Sequence, residues 1–226
     1  MTGPTTQIPR SDEVFLRGLD VCGAVVASTT DDEWDLPSPC EGWSARDVLG
    51  HLFSAMRMGL AILGGTPVDA PSFDRPGDLV GDDPAAEWAT LDVQLRSAVV
   101  GVDLDAVRDT PMGRRTVEEG LAFPAIDLFV HAWDISTAAG RPIEVPEDVI
   151  AFAHHHIDPF PDEVKRGGRV FGPKVEARAD ATATEQFVAW TGREPRTVTE
   201  TGREPRTVTE TGREPRTVTE TGREPL

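Results

Sequence analysis

Apolar residues recur at helical spacing along most of this chain, and that spacing restricts its fold more than any other feature. Phe15, Leu19, Cys22 and Val26 follow one another at steps of four, three and four, which lines one face of a helix. Ser11 with Asp12 and Glu13 supplies a start signal, so a first helix is expected over 11–29. A loop through WDLPSPCEGW leads to Ser44, whose hydroxyl can cap the next helix while Asp47 favours its positive end. That helix is expected over 44–63. The stretch GGTPVDAPSFDRPGDLVGDDP is dense in Gly, Pro and Asp and reads as a long loop. Asp83 before Pro84 restarts a helix that runs to about residue 100, with Trp88, Leu91, Leu95 and Val99 as its buried stripe. Between residues 101 and 120 the pattern is mixed, and the one extended piece expected there is 107–112. A fourth long helix is expected over 121–139, with Pro124 in its first turn and Gly140 and Pro142 beyond its end. Shorter helices follow over 146–157 and 182–190. Four long helices joined by loops predict an all-α fold, a four-helix bundle with additional short helices.

From Thr191 the unit TGREPRTVTE occurs three times unchanged, and a truncated TGREPL follows. Each full unit has one Val as its only aliphatic residue, and Gly and Pro recur every ten residues. Such a repeat cannot bury enough apolar area to offset chain entropy and is expected to be disordered. The organisation read from this is a flexible N-terminus at 1–10, one helical domain at 11–195 and a disordered repeat tail at 196–226. The seven basic and seven acidic residues of the repeat cancel, so the net charge of -17 rests on residues 1–190. That charge argues against nucleic acid as a partner, because binding it relies on Lys and Arg displacing counterions from phosphate. No run approaches the ~20 apolar residues of a membrane span. The start MTGPTTQIPRSDE lacks the basic and apolar stretches of a secretory signal, so a cytoplasmic location is expected. Cys22 and Cys40 are the two cysteines and do not form a CxxC pair, which argues against a disulfide framework.

Three residues stand out chemically. His51 lies three after Val48 and four before Ala55, on the inward stripe of its helix, where an imidazole needs a partner. Asp127 and His131 are four apart on a later helix, so their side chains rise from one face with Cβ atoms about 6 Å apart. Two imidazoles and a carboxylate suit a divalent ion such as zinc and leave a coordination position open, the pattern of a reactive rather than a purely structural site. Asp134, three beyond His131, is placed to orient a ligand. Spacing alone leaves the plainer reading open, in which His51 is a hydrogen-bonded core residue, and it cannot show that the two helices face each other.

Other residues draw plainer readings. Cys40, between Pro39 and Glu41, is a further ligand to weigh, but with no adjacent base it reads as an inert structural thiol. His154, His155 and His156 point about 100° apart in a helix, cannot converge on one ion, and read as a solvated helix end. Trp43, Trp88, Trp133 and Trp190 read as core.

Three segments carry a family resemblance: LPSPCEGWSARDVLGHL at 36–52, DLFVHAWDISTAAGRP at 127–142, and FGP at 171–173 followed by FVAWTGREP at 187–195. They resemble the N-terminal domain family of mycothiol-dependent maleylpyruvate isomerases, within the DinB-like superfamily of metal-binding four-helix bundles. The resemblance spans residues 11–195 and implies a metal held by the His closing the first motif and by the carboxylate and His of the second. Here these are His51, Asp127 and His131, the isomerase being similar but with Glu where Asp127 stands. It further implies two cofactors, a divalent metal, zinc, and a low-molecular-weight thiol such as mycothiol, with a small electrophilic substrate. The isomerase adds a second domain that helps hold the thiol, and in this chain the repeat tail stands in that place. The expectation is therefore a metal-dependent thiol transferase or isomerase, its pocket shaped by the loop at 64–83. The alternatives are a non-catalytic module in which the ion is structural, and an interaction protein built on the acidic body and its tail.

Overall fold

The structure, a computed structural model, describes residues 8–66, 74–110, 113–166 and 170–195. The expectations for residues 1–7, for 67–73 of the long loop and for the tail at 196–226 lie outside the described residues.

Four long helices form as the apolar spacing predicts: α1 (Ser11–Ser28), α2 (Ala45–Gly64), α3 (Pro84–Val99) and α4 (Val117–Ala138). Both α1 and α2 pack on α3 and on α4, so they stand at opposite corners of a four-helix bundle. The shorter α5 (Glu147–Ile157) lies against α4, α7 (Ala183–Trp190) lies against α5, and the five-residue α6 (Asp162–Arg166) falls between them in sequence. The bundle interior is apolar: Phe15 and Leu19 of α1, Leu52 and Phe53 of α2, Leu95 of α3, and Leu128 and Phe129 of α4 are all buried. Each such side chain contributes about 1.5–3 kcal/mol relative to exposure. Among the described residues no helix is long and apolar enough to cross a membrane.

Local chemistry explains most boundaries. Ser44 and Asp47 cap α2 reciprocally, and Gly65 closes it with a left-handed φ of 65°. Asp83 accepts from the Ala86 amide to open α3, with Pro84 in the first turn, where its missing N–H is harmless. The start of α1 differs from the expectation. Arg10 is the capping residue, and Ser11 lies inside the helix, its hydroxyl donating to the Glu118 carbonyl and its amide to the Glu118 carboxylate. The residue read as a cap is instead a weld between α1 and α4.

Two further differences lie before the centre of α4. The helix begins at Val117, four residues earlier than expected, because Thr116 and Glu119 form a reciprocal cap. Pro124 consequently sits inside the helix rather than in its first turn, where it withholds the amide that would have bonded the Gly120 carbonyl. Ahead of it, the expected extended piece is only one strand of a hairpin. Strands β1 (Val107–Thr110) and β2 (Gly113–Thr116) pair antiparallel, Val107 opposite Thr116 and Thr110 opposite Gly113. Residues 111–112, the end of the expected extended piece, lie outside the described residues.

The described part of the long loop does not stand free. A 3₁₀ turn at Pro76–Leu79 lies across α2, the Asp47 carboxylate accepts from the Gly77 amide, and Arg46 donates to the carbonyls of Val80 and Gly81. The backbones approach so closely that a Cβ on Gly50 would overlap the Pro76 carbonyl oxygen, which is why glycine is required there.

Candidate metal centre

The packing of α2 on α4 carries His51 onto the face that presents Asp127 and His131. One ligand atom from each of the three lies within 4.8 Å of the others. His51 Nε2 is 3.9 Å from Asp127 Oδ2, and the two imidazole rings meet edge to face with centroids 4.9 Å apart. Ligands of a tetrahedral ion bound at about 2.1 Å stand roughly 3.4 Å from each other, so small side-chain rotations would bring these donors into range. Both imidazoles are buried, and Asp127 is partly exposed between them and the cavity. Burial pushes the Asp127 pKa up, and the opposing pull of His131 and Arg193 does not cancel it. The carboxylate is therefore short of positive charge, and the donor set fits a divalent cation.

Behind His131 stands a buried charged group that fixes its orientation. His131 Nδ1 is 2.8 Å from Oδ2 of Asp134, which is fully buried. Burial alone would raise the Asp134 pKa. The Arg193 charge and the hydrogen bonds from His131 and Arg193 outweigh it and hold the carboxyl well below the usual range. An ionised Asp134 can only accept, so Nδ1 carries the proton and donates, and Nε2 is the nitrogen left to face His51 and Asp127. Arg193 grips Asp134 as a fork, with Nε at 2.8 Å from Oδ1 and Nη2 at 2.8 Å from Oδ2.

Cys40 completes the group, its thiol donating to Asp134 Oδ2 at 3.2 Å and receiving a bond from Arg193 Nη2 at 3.4 Å. Burial and the Asp134 charge push its pKa up, and Arg193 only partly offsets them, so Cys40 remains a neutral thiol. Cys40, His131 and Asp134 also cluster within 4.8 Å of one another, but the Arg193 guanidinium already sits among them as their cation. All three of His51, Asp127 and His131 face open space, whereas Asp134 of the other cluster is fully buried.

That space is a cavity of about 1070 Å³ with His51, Asp127 and His131 in its wall. Apolar surface comes from Trp43, Met58, Phe123, Phe160 and Phe171, and polar groups from Thr110, Arg115, Glu119, His155 and His156. Three expectations need correcting here. Residues 67–73 of the loop lie outside the described residues; of its described part, 64–66 and 74–83, no residue lines the cavity, because Pro76–Leu79 is clamped across α2, and the hairpin and the segment after α5 supply lining residues instead. Trp43 is not core but cavity wall, its ring centroid 5.3 Å from that of His51. The three consecutive histidines diverge as helical geometry requires, yet they are not simply solvated. His154 packs on Trp190, while His155 and His156 reach the cavity. His156 is half-buried against Phe152, and burial, then His155, lowers its pKa to about 4.

Residues 15–136 match the family described as mycothiol maleylpyruvate isomerase N-terminal domain. The chain belongs to this family. Its match takes in His51, Asp127, His131 and Asp134 but stops short of Arg193. Two proteins of Mycobacterium tuberculosis, both described as uncharacterized and coming from strains CDC 1551 / Oshkosh and H37Rv, are each 23% identical over 184 residues, which is 80% of this chain and 96% of theirs. No solved structure matches the chain.

Arg193 is the site residue that sequence reasoning passed over. It belongs to the first copy of the repeat, whose composition speaks for disorder, yet Thr191 and Arg193 are buried. The turn after α7 delivers it: the amides of Thr191, Gly192 and Arg193 donate to the carbonyls of Phe187, Ala189 and Val188. The available signal was FVAWTGREP itself, in which the repeat unit continues directly from a helical stretch.

Proposed function

We propose that His51, Asp127 and His131 bind one divalent metal ion, zinc in the first place, and that the site uses a low-molecular-weight thiol of the mycothiol type on a small electrophile, as a transferase or isomerase. The observation that carries this reading is that two imidazoles and a carboxylate converge at the wall of an open cavity of about 1070 Å³ instead of inside a closed core. Membership of a mycothiol-related family supports the choice of thiol.

The chain's own residues have separate tasks in this reading. Asp134, held ionised by Arg193, keeps the His131 proton on Nδ1 and the Nε2 lone pair on the ion's side. Asp127 contributes the one negative charge among the ligands. The apolar side chains of Trp43, Met58 and Phe123 exclude water from the reacting atoms, while Thr110, Arg115 and Glu119 supply donors and acceptors for the polar body of the thiol. A bound ion would hold the sulfur as thiolate and so make it nucleophilic at neutral pH. Cys40, a neutral thiol pinned by Asp134 and Arg193, is not that nucleophile.

The test is turnover of an aryl halide with mycothiol by zinc-loaded protein, beside folded His51→Ala and His131→Ala variants. Activity lost in both variants supports the proposal. Zinc binding with no turnover for any thiol or electrophile favours the structural module instead, in which case chelation should lower stability by several kcal/mol.

A further inference from the structure

His131 stands between two groups of donors, one on each side of its ring. Nε2 is turned toward His51 and Asp127, while Nδ1 meets Asp134 beside Cys40. We infer that the inner cluster of Cys40, His131 and Asp134 is a second metal site, suited to ions that accept a thiolate. Arg193 fills it as a tethered cation and so confines the protein's ion to the outer, open cluster.

The guanidinium sits where an ion would. Arg193 Nη2 lies 2.8 Å from Asp134 Oδ2, 3.4 Å from Cys40 Sγ and 3.5 Å from His131 Nδ1, so one nitrogen touches all three donors. The donors themselves are already close: Nδ1 is 2.8 Å and Sγ 3.2 Å from Oδ2. Neighbouring ligands of a tetrahedral zinc or cobalt ion stand roughly 3.4–3.6 Å apart, so the cluster needs to open by only a few tenths of an ångström. A thiolate, an imidazole and a carboxylate form a donor set for zinc, cobalt or cadmium.

Charge balances in the exchange. Arg193 and Asp134 cancel, and the Cys40 thiol is neutral. A divalent ion in place of the guanidinium meets one carboxylate and one thiolate, which cancel it as well, and the thiol proton passes to solvent. His131 then offers Nδ1 to the ion and carries its proton on Nε2. A protonated Nε2 cannot bind an ion on the outer side, so occupation of one cluster excludes the other. Arg193 thereby decides which side of His131 is used. Its consequence for catalysis rests on the proposed function: with the chain's own thiol kept from the ion, the sulfur position is left to an external thiol.

Cobalt absorption of the full-length protein tests this, with a readout separate from activity. The unaltered protein with cobalt should show no thiolate-to-cobalt band in the near ultraviolet. Arg193→Ala, refolded with cobalt present, should gain that band, because the ion supplies the charge that Asp134 has lost. Adding His51→Ala to Arg193→Ala should leave the band in place, and adding Cys40→Ser should abolish it. No cobalt in the unaltered chain beside a band in Arg193→Ala would count against the proposed function alone and support the inner site. A band in the unaltered protein, none in Arg193→Ala, its loss with His51→Ala, or its survival with Cys40→Ser would overturn the inference. So would an Arg193→Ala chain that does not fold even with cobalt present.

Discussion

Asp134→Asn separates a residue that orients a metal ligand from one that merely fills the core. The substitution conserves size and exchanges one carboxylate oxygen for an NH2 group. Every neighbour of that carboxylate is a donor: His131 Nδ1 at 2.8 Å, Cys40 Sγ at 3.2 Å and Arg193 Nη2 at 2.8 Å on Oδ2, and Arg193 Nε at 2.8 Å on Oδ1. The amide therefore meets a donor whichever way it turns. Set toward His131, it is relieved only if the imidazole moves its proton to Nε2, which removes the lone pair from the metal side. Set toward Arg193, it leaves a buried guanidinium facing an N–H. Both arrangements strip Arg193 of its countercharge, for which the expected loss of stability is about 3–5 kcal/mol. Loss of the orienting bond should weaken zinc binding by roughly 10–100-fold, or about 1.4–2.7 kcal/mol. Competition with a chromophoric chelator measures the affinity, and urea unfolding of the metal-free protein measures the stability. A variant that is destabilised yet binds zinc as tightly as the unaltered chain would show that Asp134 has no hold on the metal site.

Asp127→Asn should act in opposite directions on folding and on metal binding. Burial raises the folded pKa of Asp127, so its favourable contribution is present below the unfolded value of about 3.9 and is lost as pH rises through the raised folded value. The Asn variant should thus be more stable than the unaltered protein at neutral pH without metal while losing zinc affinity, and urea midpoints with chelator titrations check both. Asp134 has the reverse sign. Its depressed pKa contributes stability above about 3.9 that disappears as pH falls through the folded value, so acid unfolding of the metal-free protein should be shallower in Asp134→Asn. Cys40 should react with iodoacetamide at neutral pH more slowly than free cysteine, and a rate at or above that of the free amino acid would contradict its placement against Asp134.

What could be read from the sequence follows how local each signal is. Helix α3 was fully legible because the cap at Asp83 and, within the sixteen residues of the helix, Pro84 and the stripe from Trp88 to Val99 all agree. The start of α4 was not, since Gly120 and Pro124 read as punctuation while the cap between Thr116 and Glu119 and the burial of Val117 decide the outcome. Strand β2, Gly113-Arg114-Arg115-Thr116, has no apolar alternation, and only its pairing with β1 makes it a strand. The pair of Asp127 and His131 was visible because four residues of helix bring them together regardless of tertiary structure. That α2 turns His51 toward them is a product of bundle packing, which only the family resemblance carried. Arg193 was invisible for a different reason. Composition averages over a repeat unit, whereas burial depends on one guanidinium meeting Asp134 from 59 residues away.

Metal analysis of the purified protein, after zinc loading and exhaustive dialysis, bears most directly on the site. One divalent ion per chain is expected, lost in His51→Ala and in His131→Ala while both variants keep their helical circular dichroism. A chain that retains no ion, or variants that retain as much as the unaltered protein, would mean that these side chains meet for packing alone.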